Sequence, residues 1–375
     1  MDHPASHAFS AAASRGEDTA AFDPMDDGPP VALPLSPDFE PSPDVGTPAA
    51  PAALAPVSSR ATAIEHSNPD HARITLIDWM LGNRCNYACS YCPAGLHDGS
   101  LGWQPAEDVE RMIDRLVAHY HDGLGRTVWI QFTGGEPTLN PQLPRILAHA
   151  RERGCKLSLI SNGSRTPRYW QALLPKLESA ILTYHGEGAD PDGFFAIAET
   201  VAAAIPLQVN VAVAPDRFDE LMAIAERLWR DIPKIDVVLK PLRLGFGTAL
   251  YPYAPEQLAR LRRGFPSKRE SRDVTPRSTV RVVAGDGSAE RRRANQLILD
   301  GANRWAGFRC MAGVESLRIQ GNGRITRAVC GVGGALGTIA EPPDLPVVGT
   351  TCDKAACACV ADILISKRRR GGAAA

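Results

Sequence analysis

Cys85, Cys89 and Cys92 fall within eight residues, in the string CNYACSYC. Thiolates at that spacing can converge on three corners of an iron–sulfur cube, which has four irons and ordinarily takes four cysteines. Three local ligands leave one iron open. An open coordination position makes a metal site reactive rather than structural, a rule stated for zinc that carries over to iron. With 9 cysteines in 375 residues, this pattern arises by accident about 0.005 times per chain. Chance is a poor explanation. A second group, Cys310, Cys330, Cys352, Cys357 and Cys359, lies within 50 residues at the other end. Between its first two members, Leu317 and Ile319, then Gly321-Asn322-Gly323, then Ile325 read as a β-hairpin. A hairpin flanked by cysteines and followed by a CxC builds a four-thiolate site, for iron and sulfide or for structural zinc. Cys155, before the apolar run KLSLI, reads as a small buried residue.

The elements that must position these groups alternate. Apolar, β-branched runs stand at Ile74–Leu81, Val128–Phe132, Leu157–Ile160, Ala180–Thr183, Leu207–Val213 and Ile235–Leu239. Helical patterns lie between them at Glu107–His119, Gln142–Arg153, Phe194–Ala204 and Asp219–Trp229. This rhythm predicts βαβ units, a parallel sheet, and an α/β fold that is an open, partial (β/α)6 barrel. Function in such barrels gathers at the C-terminal ends of the strands. The cysteine loop follows the first strand. The second strand ends in FTGGEPTLNP, with Gly134, Gly135 and Glu136 at the rim, and the third in LISNGS, with Asn162. Thr183, Tyr184 and His185 end the fourth; Asn210 lies in the fifth and Lys240 at the end of the sixth. Each has a bland reading as turn or backbone partner, but a common rim of polar residues makes a site for a polar small molecule.

Residues 1–70 carry 12 prolines and 11 acidic residues against Arg15 and Arg60 alone, a net charge of −9 that leaves +8 on residues 71–375. Such a stretch buries too little apolar surface to offset its chain entropy and is expected to be a disordered tail. The domain plan is then a tail over 1–70, a barrel over 71–245, a bridging segment over 246–305, a small hairpin and loop domain over 306–367, and a basic tail over 368–375. The bridge starts with a helix at Pro255–Arg263 and continues with the basic-rich stretches SKRESRD and GSAERRRAN, read as solvated connection. No apolar run approaches 18 residues and the start MDHPASHAFS lacks a signal-peptide pattern, so a cytoplasmic protein with no membrane partner is expected. Charge is not concentrated beside aromatic platforms, and nucleic acid is not an expected partner.

CNYACSYC and TGGEP together resemble the CxxxCxφC and GGE motifs of the radical S-adenosylmethionine (SAM) enzymes, over roughly residues 73–242. The resemblance implies that Cys85, Cys89 and Cys92 ligate three irons of a [4Fe–4S] cluster and that SAM chelates the fourth. It implies that Gly134, Gly135 and Glu136 meet the methionine amino group and that Tyr91 lies against adenine. Asn162, Thr183 and Asn210 are the further candidates for SAM contacts. The implied chemistry is reductive cleavage of SAM to a 5′-deoxyadenosyl radical that abstracts hydrogen from substrate, with an electron donor such as flavodoxin or ferredoxin. The C-terminal cysteines resemble the SPASM and shorter twitch domains, which hold auxiliary [4Fe–4S] clusters. Five cysteines suffice for one cluster, with Cys310 and Cys330 the first pair and Cys352, Cys357 and Cys359 competing for the rest.

Two classes of function follow. One is a radical SAM enzyme acting on a small polyol or sugar-like molecule or on a peptide, by oxidation, epimerisation or cross-linking. The other is a non-catalytic iron–sulfur or zinc protein, a redox carrier or scaffold. A thiol facing the barrel mouth would return a hydrogen atom to a substrate radical, whereas an auxiliary cluster using every cysteine would favour net oxidation.

Overall fold

The computed structural model describes residues 61–268 and 279–369. β1 (Ala61–His66) leads into β2 (Ile74–Met80), the first barrel strand. A short hairpin, β3 (Gly82–Arg84) and β4 (Asp98–Trp103), brackets the cysteine loop. Helices and strands then alternate: α1 (Ala106–Leu116), β5 (Thr127–Thr133), α2 (Leu143–Glu152), β6 (Lys156–Ser161), α3 (Pro167–Leu173), β7 (Ser179–Tyr184), α4 (Pro191–Ala204), β8 (Leu207–Val213), α5 (Phe218–Asp231) and β9 (Ile235–Pro241). Strands β2, β5, β6, β7, β8 and β9 pair in that order, each parallel to the last. β9 ends the sheet, so the partial barrel is open. Each helix turns one apolar stripe inward: in α1 this is Val109, Met112, Ile113 and Leu116, all fully buried. The helix α3 is absent from the sequence reading. Its PRYWQAL has too short and aromatic a pattern to show a period, although Thr166 caps it, accepting from Tyr169 N at 3.3 Å, with a proline at the first turn.

The remaining elements are α6 (Pro255–Arg263), β10 (Thr279–Ala284), β11 (Ala289–Arg293), α7 (Ala294–Leu299), β12 (Arg309–Cys310), β13 (Ser316–Ile319), β14 (Arg324–Thr326), β15 (Ala335–Thr338), β16 (Thr350–Thr351), α8 (Val360–Ile363) and β17 (Lys367–Arg368). They alter the expected domain plan in three ways. The hairpin β13–β14 exists, but it does not stand apart: β13 pairs parallel to β2, with Leu317 opposite Ile77, and β14 and β15 extend the barrel sheet to nine strands. The cause is that Leu317, Ile319 and Ile325 are fully buried in the barrel core rather than in a core of their own.

The second change concerns the N-terminal boundary. Residues 1–60 of the expected tail lie outside the described residues, but Ala61–His66 is a strand, because its ATAIEH alternation buries Ala61 and Ile64 against Val280 and Val282. Third, the basic stretch GSAERRRAN of the bridge and the start of the basic chain end take part in a six-stranded sheet of order β11-β10-β1-β17-β12-β16, whereas SKRESRD runs into residues 269–278, outside the described residues. Lys367, at the edge of the expected basic tail, is buried in β17. Its Nζ donates to the carbonyls of Asp362 (2.6 Å), Ile363 (3.3 Å) and Ile365 (2.7 Å), closing the C-terminal end of α8. Among the described residues no helix is long and apolar enough to cross a membrane.

Candidate functional site

The cysteine loop is suspended from the strand ends by side chains outside the cysteine pattern. Buried Asn83, in β3, donates through Nδ2 to Gly95 O (3.0 Å), Asp98 Oδ1 (2.6 Å) and Ser100 Oγ (3.1 Å), while its Oδ1 accepts from Leu101 N (3.0 Å). Both ends of the loop are thereby fixed to one amide. From the loop after β7, Glu187 accepts from Ser90 N (2.6 Å) and Ser90 Oγ (2.7 Å). Gly188 lies under Tyr87, where a Cβ would come within 2.8 Å of the ring. Asn83 and Glu187 were not singled out from the sequence; in HGEG, the glycines flanking a carboxylate just after a strand are the one available signal.

The glycines and Glu136 of the second strand end do separate jobs. Gly135 has φ +52°, and a Cβ there would meet Arg84 O at 2.2 Å. Only glycine lets this turn press on the root of the cysteine loop, where Glu136 N donates to Arg84 O at 2.7 Å. The Glu136 carboxylate is fully buried and faces protein. Oε1 accepts from Thr138 N (3.0 Å), Thr138 Oγ1 (2.7 Å) and Ser161 Oγ (2.9 Å), and Oε2 from Asn162 N (2.6 Å). Burial pushes its pKa up and the four donors pull against that. Glu136 is thus a strut joining the ends of β5 and β6.

These pieces enclose a cavity of about 890 Å3. Cys85, Cys89 and Cys92 line it, together with Gly134, Gly135, Asn162 and Thr183. Tyr91, Glu136 and Asn210 are not among its lining residues. The Tyr91 ring instead lies against His185, 6.0 Å between centroids and 17° between planes, with its hydroxyl 2.7 Å from His185 Nδ1. His185 itself lines the cavity, and burial lowers its pKa to about 4, leaving a neutral ring. Asn210 sits behind Thr183, donating to its Oγ1 at 3.5 Å and accepting from Gln208 at 2.8 Å. The Asn162 amide reaches the cysteine loop, donating to Asn86 Oδ1 (3.0 Å) and Cys85 Sγ (3.8 Å). Burial pushes the thiols up, Cys85 to about 11 and Cys89 to about 12.

The opposite wall comes from the C-terminal segment. Arg318 of β13 pairs with Asp78, its register partner on β2, and both line the cavity. Cys330, Cys359, Asp362 and Arg243 line it as well. Asp362 is buried and accepts from Val329 N (3.0 Å) and Cys330 N (2.6 Å). Cys352 N donates to Phe308 O and Cys357 N to Asn303 O, each at 2.8 Å. The nine cysteines form no disulfide. Among the described residues no three His, Cys, Asp or Glu side chains close on a single ion. Any cluster here must be argued from the donor set.

Residues 79–195 match the Radical SAM superfamily profile. The match covers that segment, less than a third of the chain. Among its curated relatives, Fe-coproporphyrin III synthase of Methanosarcina barkeri is 32% identical over 116 residues, 31% of this chain and 27% of the relative. An S-adenosylmethionine-dependent nucleotide dehydratase of Selenomonas ruminantium is 39% identical over 92 residues, 24% of this chain and 30% of the relative. The chain therefore spans less than a third of the length of these relatives. A solved structure described as native anSMEcpe with bound AdoMet overlays at a TM-score of 0.47 and 17% identity, over 72% of this chain and 79% of the other.

Proposed function

We propose that the protein is a radical SAM enzyme that abstracts hydrogen from a substrate held in the 890 Å3 cavity, with one auxiliary cluster on the C-terminal cysteines. The single observation carrying the reading is that Cys85, Cys89 and Cys92, the glycine turn, and Cys330 and Cys359 of the C-terminal group line one cavity. A four-iron cluster on Cys85, Cys89 and Cys92, with SAM at its fourth iron, would supply an electron that breaks the S–C5′ bond and leaves a carbon radical.

The donor set fits that group: three thiols on one loop face the same space, beside a rim whose backbone lies open at Gly134 and Gly135. Asn86 Nδ2 and His97 Nδ1, on the same loop, are buried without a protein partner. In this reading the chain's own residues position and enclose. Asn83 and Glu187 fix the loop, Gly134 and Gly135 offer backbone to the methionine end, and Thr183 and His185 face the nucleoside end. Glu136 holds two strand ends in register and moves no proton. The C-terminal wall keeps water from the radical.

Substrate is a small polyol or sugar-like molecule or a peptide, and the electron donor a flavodoxin or ferredoxin in the cytosol. The relatives' names, an Fe-coproporphyrin III synthase and an S-adenosylmethionine-dependent nucleotide dehydratase, support use of S-adenosylmethionine on an organic substrate without choosing one. Anaerobic reconstitution with iron, sulfide, SAM and dithionite tests the reading. 5′-Deoxyadenosine and methionine are expected in equal amounts, and a Cys85, Cys89, Cys92 triple alanine variant should lose both, with about four irons fewer. A protein that holds its iron but makes no 5′-deoxyadenosine is a carrier or scaffold instead.

A further inference from the structure

We infer that the floor of the cavity is a binding site for a vicinal diol, a neutral and hydroxyl-rich group of the substrate, held by the Asp78–Arg318 pair. The inference rests on the radical SAM reading above and selects the polyol over the peptide within it. Four adjacent strands carry the floor at one level. Arg318 of β13 stands opposite Asp78 of β2, Asp78 opposite Gln131 of β5, and Gln131 opposite Ser158 of β6. Side chains opposite one another share a face of the sheet, and Asp78 and Arg318 line the cavity. Ser158 Oγ accepts from Gln131 Nε2 (3.2 Å) and Trp129 Nε1 (3.0 Å), which fastens the far end of the row. Two residues back along the same faces, Leu76 and Trp129 pack with Ile74 in an apolar cluster of their own. That cluster stops the barrel beneath the row, so the cavity ends on polar side chains.

The Arg318 and Asp78 side chains are 15% and 7% exposed. An ion pair so far out of water is a poor stabiliser, because desolvation of both charges offsets most of their attraction. What the pair supplies is bonding capacity. An ionised carboxylate offers about four acceptor sites and a guanidinium five N–H donors, more than the bond between them uses. Beside it, Gln131 Oε1 is buried with no protein partner among the described residues. That orphan costs stability, and a donor reaching the floor relieves it, directly or through a water.

The same geometry selects the charge of the ligand. A carboxylate or phosphate entering beside Arg318 meets Asp78, an ammonium beside Asp78 meets Arg318, and like charges brought together are penalised. A hydroxyl both donates and accepts at one atom. Two of them on neighbouring carbons can donate to the carboxylate while accepting from the guanidinium. One level up, Gln320 and Thr133 add a carboxamide and a hydroxyl to the lining. Size agrees. The cavity of about 890 Å3 must also hold SAM in this reading, and about 300–1,000 Å3 encloses a single drug-sized ligand, so what reaches the floor is small.

The test titrates the full chain, loaded anaerobically with iron, sulfide and SAM but no reductant, with vicinal cis-cyclohexanediol, cyclohexanol, acetate and N-acetylglycinamide. Calorimetry should show the diol binding about tenfold more tightly than cyclohexanol, since a site built to bond a hydroxyl rejects the analogue lacking it. Acetate and N-acetylglycinamide should bind no more tightly than cyclohexanol. In the Asp78→Leu, Arg318→Met double variant, which exchanges the pair for apolar side chains of similar volume, the diol should lose its advantage. The wild-type comparison needs no variant to fold. Equal binding of diol and cyclohexanol to wild type overturns the inference, as does a diol preference that survives in the double variant. Acetate binding more tightly than the diol would make the floor an anion site, and N-acetylglycinamide doing so a peptide site; either overturns the inference. Dithionite, added last, separates the inference from its parent. A protein that prefers the diol yet makes no 5′-deoxyadenosine loses the radical SAM reading and keeps the diol site.

Discussion

Two buried carboxylates, Glu136 and Asp362, hold the two cysteine regions, and they do so differently. Glu136 accepts four hydrogen bonds from its own turn and the end of the next strand, so the first region hangs from a rigid sheet edge. Asp362 accepts two from the backbone, Val329 N and Cys330 N, and one from the Cys330 side chain; these bonds and the charge of nearby Lys367 offset part of its burial. The second region has no sheet edge of comparable length: its cysteines come from strands of two residues and from loops. A site suspended from long strands is set by their register. A site gathered from loops depends on each tie and on whatever the thiols bind.

The largest break in that comparison should come from Glu136→Ala. It strands four donors in the core, a loss on the order of 4 kcal/mol, measurable by urea denaturation. Iron at Cys85, Cys89 and Cys92 should fall while the C-terminal site keeps its own. Iron lost equally from both sites would mean that the two regions are not independently held. Next is the pair that joins them, Asp78 with Arg318. Asp78→Leu alone leaves a guanidinium facing an empty partner and should cost about 3 kcal/mol, whereas adding Arg318→Met should recover most of it. A double-mutant cycle that shows no recovery would assign the cost to packing of β2 rather than to the ion pair. Asp362→Ala should cost about 2 kcal/mol and remove C-terminal iron alone, the converse of Glu136→Ala.

This difference also decides what could be read from the sequence. The six barrel strands are legible because each is a short apolar run that is largely buried, and Leu207–Val213 matches to the residue. Cys85, Cys89, Cys92, Gly134 and Gly135 are legible as one rim because their spacing is local, and all five line the cavity. Glu136 was found as a residue but misread in direction: GGE shows a carboxylate at a rim, and only the positions of Thr138 and Ser161 turn it inward. Tyr91 was likewise placed on the right loop, but its partner His185 lies 94 positions away. The joining of β13 to β2 was not legible, because a hairpin pattern states which residues face a core and not which core. Arg368 is a related case, since a basic residue in a short strand and one in a solvated tail read alike in KRRR.

The smallest effect expected is a pH dependence confined to the N-terminal edge of the second region. His71 lies between β1 and β2, 6.2 Å from His66 in an edge-on contact. Burial, and after it the neighbouring His66, lowers its pKa to about 4, although Asp70 pulls the other way and Lys156 adds slightly to the lowering. In the unfolded chain the same ring takes its proton near pH 6.5, as an ordinary histidine does. Between those two pH values the unfolded state holds the extra proton, so acidification favours opening. The contribution of His71 is complete above pH about 6.5 and is lost as pH falls toward about 4. His71→Gln should flatten that part of the stability–pH profile, read by hydrogen exchange of the β1 amides paired with β10. The amides of β5 and β6, which hold the first region, should show no change. A slope that survives in His71→Gln would remove His71 as its source.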